Sequence, residues 1–494
     1  MRRSLLSAFA ADITALGAIL PVVALAFVTW RAGAIAERRP DREANAELDA
    51  ATKDEDEGES ESESENVTDV AQVASAELDA PPPKPAPPRT FNVILITVDT
   101  LRADIGFMGY PRPVSPNIDT LAARSVVYEQ AYAMASFTPK SLGPMLIGKY
   151  SSETYRDYLH YTDFFPANVF LAERVQAAGG RTAGAATHRY FGWKKGFDQG
   201  FDVWDTSAIP PNSIDNDPTI TSEKLSDLAI DLLSSSEAAD IPVRGKEPAV
   251  KVARTGPAQD HFFAWFHYLD PHLPYVPHEG APSFASISAP GVPRERAAYD
   301  AEVWFTDKQV GRLLEHVAQQ PWAKETAIIL TSDHGEAFGE RGHWGHGREI
   351  WESLVRVPLI VFVPGIESRR IPAKRSHIDL VPTVLELIGL PRDSDLSGTS
   401  LLEDTRVAPD QAEERDVFID MPDGPFNEMR RAVITGPSPG LKLIDFGGRY
   451  ELFDLQHDPN EAKSLVAEDP IRFAAARDAM TRVRSKLKPL APSK

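Results

Sequence analysis

Cysteine is absent from this 494-residue chain. That excludes disulfides, Cys-ligated zinc or iron–sulfur sites, and thiol nucleophiles. It leaves the compartment open, because an extracytoplasmic protein can do without disulfides. Positive charge is scarce as well, with 52 Lys and Arg against 72 Asp and Glu and a formal net charge of −20. That balance excludes sequence-independent nucleic-acid binding, which needs a basic footprint. Disorder of the whole chain is excluded too, because a hydrophobic share of 42% and an aromatic share of 9% supply a large core.

An apolar run long enough to cross a membrane occurs at the N-terminus. Leu5 to Trp30 is mostly apolar, and Ile13 to Trp30 carries no charge. As a helix, that uncharged stretch reaches about 27 Å, close to a bilayer core. Arg2 and Arg3 precede the run, and Trp30 and Arg31 suit an interface. No clean small-x-small cleavage site follows, so residues 1–35 read as an uncleaved membrane anchor in preference to a signal segment. Residues 36–90 read as a disordered linker. Glu37 to Asp79 holds 16 acidic and 4 basic residues, a net of −12, so more than half of the chain's charge sits there. Such a segment buries too little apolar surface to offset its ordering entropy. The prolines from Pro81 to Pro88 then form a stiff spacer. The expected picture is a membrane-anchored protein whose globular part lies outside the cytoplasm.

The globular part opens on FNVILITVDT, Phe91 to Thr100. A β-branched apolar run of this kind marks a strand buried on both faces. Similar runs recur at His261 to Asp270, Ala327 to Glu336 and Val357 to Gly365. Between them, Ile118 to Ala131, Val169 to Ala178, Ser222 to Leu233 and Ala297 to Gln319 carry apolar residues at helical spacing. Strands alternating with helices predict an α/β fold with a mainly parallel sheet flanked by helices. Ligands of such sheets bind beyond the carboxyl ends of the strands, where Asp99, Asp270 and Asp333 fall.

Three clusters carry chemistry. Asp333-His334-Gly335-Glu336 ends one strand, and Asp99 ends another. Carboxylates with one imidazole suit zinc, manganese, magnesium or calcium. His343, His346 and Arg348 lie in a glycine-rich loop fit to hold an oxyanion. His267, His272 and His278 lie in HYLDPHLPYVPH, whose prolines stiffen the loop and help to aim His272. A hydroxyl nucleophile is expected within Ala135 to Tyr150, at the start of a helix, where Ser136, Thr138 and Ser141 compete.

These residues resemble the sulfatase family of the alkaline-phosphatase superfamily. The resemblance runs from about Asn92 to Leu465. It includes NVILITVDTLRADIGFMGYPRPVSPNIDTLA, WFHYLDPHLPYVPH, YDAEVWFTDKQVGRLLE, SDHGEAFGERGHWGHGREIWESLVRVPLIVFVPG and ELFDLQHDPNEAKSL. It implies a catalytic domain over 91–400 and a smaller C-terminal α+β subdomain over 401–494. It also implies a metal held by Asp99, Asp333 and His334, with Thr100 standing where sulfatases usually carry a second acid. His334 stands where many sulfatases have Asn, which favours zinc or manganese over calcium or magnesium. His272 and His346 match positions that bind the anionic ester. His188 or Arg189 matches another, and Lys140, His343 and Arg348 are further candidates for substrate binding.

The departure lies at the nucleophile. Sulfatases carry C-x-P-S-R or S-x-[AP]-x-R, whose first residue becomes formylglycine. Neither pattern is present, and counting back from Gly148 puts Thr138 in that place. A threonine there is similar to the superfamily's phosphoethanolamine and phosphoglycerol transferases. The expectation is a metal-dependent hydrolase of sulfate or phosphate esters with Thr138 as both metal-bound group and nucleophile. A transferase acting on envelope lipid or glycan is the alternative, and a non-catalytic scaffold ranks below both.

Overall fold

The computed structural model describes residues 89–490 apart from 158–162, 193–194, 212, 214–217, 235–254, 285–293 and 426. The N-terminal apolar run and the acidic linker lie outside the described residues. Among those described, no helix is long and apolar enough to cross a membrane.

Eight strands make the central sheet: β1 (Asn92–Val98), β2 (Val126–Tyr128), β3 (Arg181–Ala186), β4 (Val203–Asp205), β5 (Phe262–Tyr268), β6 (Thr326–Ser332), β7 (Leu359–Phe362) and β8 (Arg369–Ile371). Their order is β8-β2-β7-β6-β1-β5-β3-β4. The strands from β6 to β4 run parallel, while β7 is antiparallel to both β6 and β2. The sheet is therefore mainly parallel, as the alternation of runs predicts.

Alternation along the strands divides the core in two. Val93, Leu95, Phe263, Trp265, Ala327 and Ile329 face one layer. There they pack with α2 (Thr138–Ile147), α3 (Leu171–Ala177) and α6 (Leu380–Ile388). Ile94, Ile96, Phe262, Ala264, Ile328 and Leu330 face the other, with α1 (Pro116–Ala122), α4 (Ser222–Leu233) and α5 (Arg294–Ala318). Apolar side chains on both faces explain why the runs read as continuous. The C-terminal part adds an antiparallel meander, β9 (Val417–Met421), β10 (Arg430–Thr435), β11 (Leu441–Asp445) and β12 (Tyr450–Asp454). Helix α7 (Pro470–Arg484) packs on β10 and β11.

One helix expectation is corrected. Ile118 to Ala131 has helical spacing, yet α1 ends at Ala122 and the chain enters β2 at Val126. The β-branched and aromatic triplet Val126-Val127-Tyr128 pairs with β7 and β8 instead, and the edge of the sheet outweighs the periodicity. The start of α1 is fixed by Asp307, which accepts from the backbone N–H groups of Asn117 and Ile118.

Candidate active site

The register of three neighbouring strands builds the site. Thr97 lies opposite both His267 and Thr331. Because side chains alternate, Asp99, His267 and Asp333 project from the carboxyl end of the sheet on the same face as Val93, Leu95 and Ile329. That is the face covered by α2. Thr138 opens α2, and Gly148 closes it in a left-handed conformation with φ 78°. A Cβ at Gly148 would stand 2.6 Å from Leu396 and 3.1 Å from Val381, so glycine is required there twice over. The two ends of this helix thus deliver one hydroxyl to the acids.

The three competing hydroxyls separate by what they face. Ser136 donates to the carbonyl of Glu349, and Ser141 donates to the carbonyl of Asp333 at 2.6 Å. Thr138 Oγ1 instead lies 3.3 Å from Asp99 Oδ2 and 3.2 Å from His334 Nε2. His334 Nδ1 meets the carbonyl of Gly335 at 2.9 Å, which leaves Nε2 turned to the acids with a lone pair. Nε2 lies 3.3 Å from Asp333 Oδ2 and 3.9 Å from Asp99 Oδ1. Those two carboxylate oxygens are buried and have no hydrogen-bond partner among the described residues. Two orphaned anionic oxygens around one imidazole nitrogen fit a divalent cation, since burying them uncompensated is costly.

The two acids sit in different electrostatic settings. Burial opposes charge on Asp99, but the hydrogen bond from His267 and the nearby His272 and His334 outweigh it and hold the carboxyl well below its ordinary range. At Asp333, burial and the charge of Asp99 push the carboxyl up.

A row of imidazoles leads outward from the acids. The ring of His334 lies 4.5 Å from that of His346, which lies 4.8 Å from His272, with His188 at 6.3 Å beyond. Glu336 holds this row in place. Its Oε1 pairs with His346 Nδ1 at 3.0 Å, and its Oε2 accepts from Tyr275 at 3.1 Å. Burial works against charge on His346, yet Glu336, with Asp99 and Asp333, lifts its pKa to about 9. Burial lowers that of His272. A cationic imidazole and a less basic one therefore stand side by side above the acids, an arrangement that can bind an anion and move a proton.

The other expected residues are distributed less evenly. His188 is buried beside His272, whereas Arg189 is exposed. Lys140 is buried, and its ammonium donates to Pro422 O at 2.7 Å and Asn427 Oδ1 at 2.6 Å, so it ties α2 to the C-terminal part. Burial brings its pKa down to about 7. His343 packs near Trp351, with ring centroids 6.0 Å apart, and Arg348 is exposed. Neither is among the packed imidazoles. His278 pairs with Glu302 and stacks on Phe305, which pins the loop that carries His272. Asp270 is corrected: its carboxylate accepts from the N–H groups of Thr221 and Ser222 at the start of α4 and does not join Asp99 and Asp333. That is a helix-capping role. Sequence reasoning also passed over His267 as a neighbour of Asp99 and Glu336 as the partner of His346. The signal for His267 was its alternation with Phe263 and Trp265 on β5.

Comparison with known proteins places the chain in a family. A sulfatase family model matches residues 91–390, and a model for the C-terminal part of N-sulphoglucosamine sulphohydrolase matches 339–488. An uncharacterized sulfatase of Escherichia coli is 24% identical over 456 residues, covering 79% of this chain and 85% of its own. An ulvan-active sulfatase of Formosa agariphila is 25% identical, with 80% of each chain covered. Among solved structures, a phosphonate monoester hydrolase of Agrobacterium radiobacter superposes with a TM-score of 0.57 at 17% identity, covering 80% of this chain and 96% of that one. It shares the fold. By the family match over more than half of its length, the chain belongs to the sulfatase family, the sulfuric ester hydrolases of the alkaline-phosphatase superfamily.

Proposed function

We propose that this enzyme hydrolyses sulfate or phosphate esters with Thr138 itself as the nucleophile, in place of formylglycine. The observation that carries the reading is the separation of the hydroxyls: Ser136 and Ser141 are bonded to backbone carbonyls, and Thr138 faces Asp99 and His334. Asp99, Asp333 and His334 would hold a divalent cation, and the presence of an imidazole favours zinc or manganese over calcium or magnesium. When bound, such a cation supplies positive charge that eases deprotonation of the Thr138 hydroxyl and offsets the charge of the ester.

The chain's own groups do the rest. Thr138 donates towards Asp99 Oδ2, its nearest carboxylate acceptor. Oγ1 then attacks sulfur or phosphorus, the bond to the leaving oxygen breaks, and that oxygen takes up the proton given by Thr138 and departs as an alcohol. His346 and His272 bind the non-bridging oxygens, with Glu336 keeping His346 cationic. His188 stands behind them. Water next attacks the threonyl ester, breaks the new Oγ1 bond and restores the hydroxyl. An apolar N-terminus followed by an acidic, proline-rich stretch supports tethering of this domain to a membrane, outside the cytoplasm.

The test uses the full-length protein, its metal content and a panel of nitrophenyl sulfate, phosphate monoester and phosphodiester. Turnover of at least one ester that is lost in Thr138→Ala and in Asp333→Ala is expected. Full activity in either variant overturns the reading. Separation of cell fractions checks the tether: recovery only in the soluble cytoplasmic fraction would refute it.

A further inference from the structure

His267 poses a problem of assignment. Asp99, His267 and Asp333 each offer a ligand atom within 4.8 Å of the others, so proximity alone makes His267 a fourth metal ligand. Its Nε2 lies 3.3 Å from Asp99 Oδ2, and its Nδ1 lies 2.8 Å from Thr97 Oγ1. Trp265 Nε1 lies 2.9 Å from the same threonine oxygen. Trp265, Thr97 and His267 have no exposed surface, and Asp99 is 1% exposed, so water does not enter the count of partners.

Donor and acceptor chemistry decides the direction of each bond. An indole N–H only donates, so Thr97 Oγ1 accepts from Trp265. The hydroxyl of Thr97 has one proton of its own, and among the described residues His267 Nδ1 is the acceptor within its reach. Nδ1 must then present a lone pair, and the ring proton belongs on Nε2, which faces Asp99 Oδ2.

We propose that Trp265, Thr97 and His267 form a one-way hydrogen-bond chain ending on Asp99, and that His267 is a positioning residue for that carboxylate and not a metal ligand. The inference rests on the reading of Asp99 as a ligand. It explains how the two oxygens of Asp99 divide their work. Oδ2 accepts from His267 and from Thr138, while Oδ1, which has no hydrogen-bond partner among the described residues, is left for the cation. The chain also fixes the plane of the carboxylate from a strand neighbour whose side chain cannot turn in its aromatic packing: Phe191 lies edge-on to His267 at 4.9 Å. A proton held on Nε2 further keeps that nitrogen from competing for the metal, which limits the nitrogen ligands to His334.

The test reads the ring nitrogens directly. Full-length protein labelled with 15N in its histidine rings is examined by NMR without metal and with zinc added. A protonated Nε2 and a bare Nδ1 on His267, unchanged by zinc, are expected. A proton on Nδ1, or loss of the Nε2 proton on zinc binding, would overturn the proposal. Thr97→Val removes the threonine's directing role, and a His267 spectrum unaltered by it also counts against the chain. In zinc titrations, His267→Gln keeps an N–H aimed at Asp99 and should stay within about 3-fold of wild type. His267→Leu should lose about 10- to 100-fold. Equal losses in both would sink the positioning role. Wild-type protein that takes up no zinc refutes the metal reading alone, because the tautomer is read in the metal-free protein.

Discussion

Removing each of three hydroxyls in turn should split stability from activity. Ser141 donates to Asp333 O at 2.6 Å, and Ser136 donates to Glu349 O, and both serines are fully buried. Alanine at either position strands a buried carbonyl, which costs about 1–3 kcal/mol. Thr138 makes long contacts, at 3.3 Å to Asp99 Oδ2, which also meets His267, and at 3.2 Å to His334 Nε2. Thr138→Ala should therefore cost less than about 1 kcal/mol in folding. Its rate should fall by at least about a thousandfold, or about 4 kcal/mol of transition-state stabilisation, because the attacking atom is gone. Ser136→Ala and Ser141→Ala should keep activity within about tenfold at a temperature where they remain folded. Thr138→Ser restores a hydroxyl at the same place and should recover most of the rate. Urea midpoints and initial rates on the best ester of the panel measure both quantities. If Ser136→Ala or Ser141→Ala abolishes turnover in a folded protein while Thr138→Ala does not, the nucleophile has been misassigned.

Three further outcomes follow from the charges. Asp333→Asn removes one of two facing buried carboxylates, so the metal-free protein should be at least as stable as wild type. Its melting temperature should no longer rise with zinc, whereas wild type should gain about 2.7 kcal/mol at a hundred times Kd; an equal rise in the variant refutes the ligand assignment. Glu336→Gln removes the main group holding His346 near 9, so the imidazole should titrate at lower pH and the alkaline limit of activity should move down with it. An unmoved His346 titration by NMR would show that Glu336 is not the cause. Lys140, lowered chiefly by burial to about 7, binds fewer protons when folded than when unfolded between about 7 and 10.5. Stability should therefore fall as pH drops through that window, by up to about 1.4 kcal/mol per unit. Lys140→Met should lack this component, and parallel urea curves for the two proteins from pH 10 to 7 would contradict it.

What the sequence made legible depended on how local the determinant was. The strands leading to Asp99 and Asp333 announce themselves because both of their faces are buried, and seven-residue strands with an apolar centre need no context to be read. Helix α4 was read over Ser222 to Leu233, the bounds it has, because its amphipathic face packs on α5 and so keeps its period. Asp270 shows the opposite case. It ends an apolar run like the other two acids, but only the course of the chain from Thr221 reveals that a helix start consumes its oxygens. By residue type alone Ser136, Thr138 and Ser141 are equivalent, and only the family resemblance singles out Thr138, since which of them faces the acids depends on the rotation of α2 against the sheet.

That rotation also bears on the missing cysteine. The family's usual nucleophile is formylglycine, a modified side chain. A plain threonine has no such chemistry of its own and depends on its setting. Here the setting has the features an unmodified hydroxyl needs. One carboxylate, Asp99, is held ionised within reach of the hydroxyl. Beside it lies Asp333, with an oxygen that has no hydrogen-bond partner among the described residues, and above both stands a cationic imidazole with its own buried counter-ion. Each of these comes from a different strand end or loop, and they converge because the register sets Asp99 beside Asp333 and α2 closes over both. An accidental threonine on a decayed scaffold would have no reason to keep them together, since two facing buried acids destabilise a protein that binds no metal. The persistence of that costly pair beneath Thr138 is thus the strongest structural argument that the site is in use.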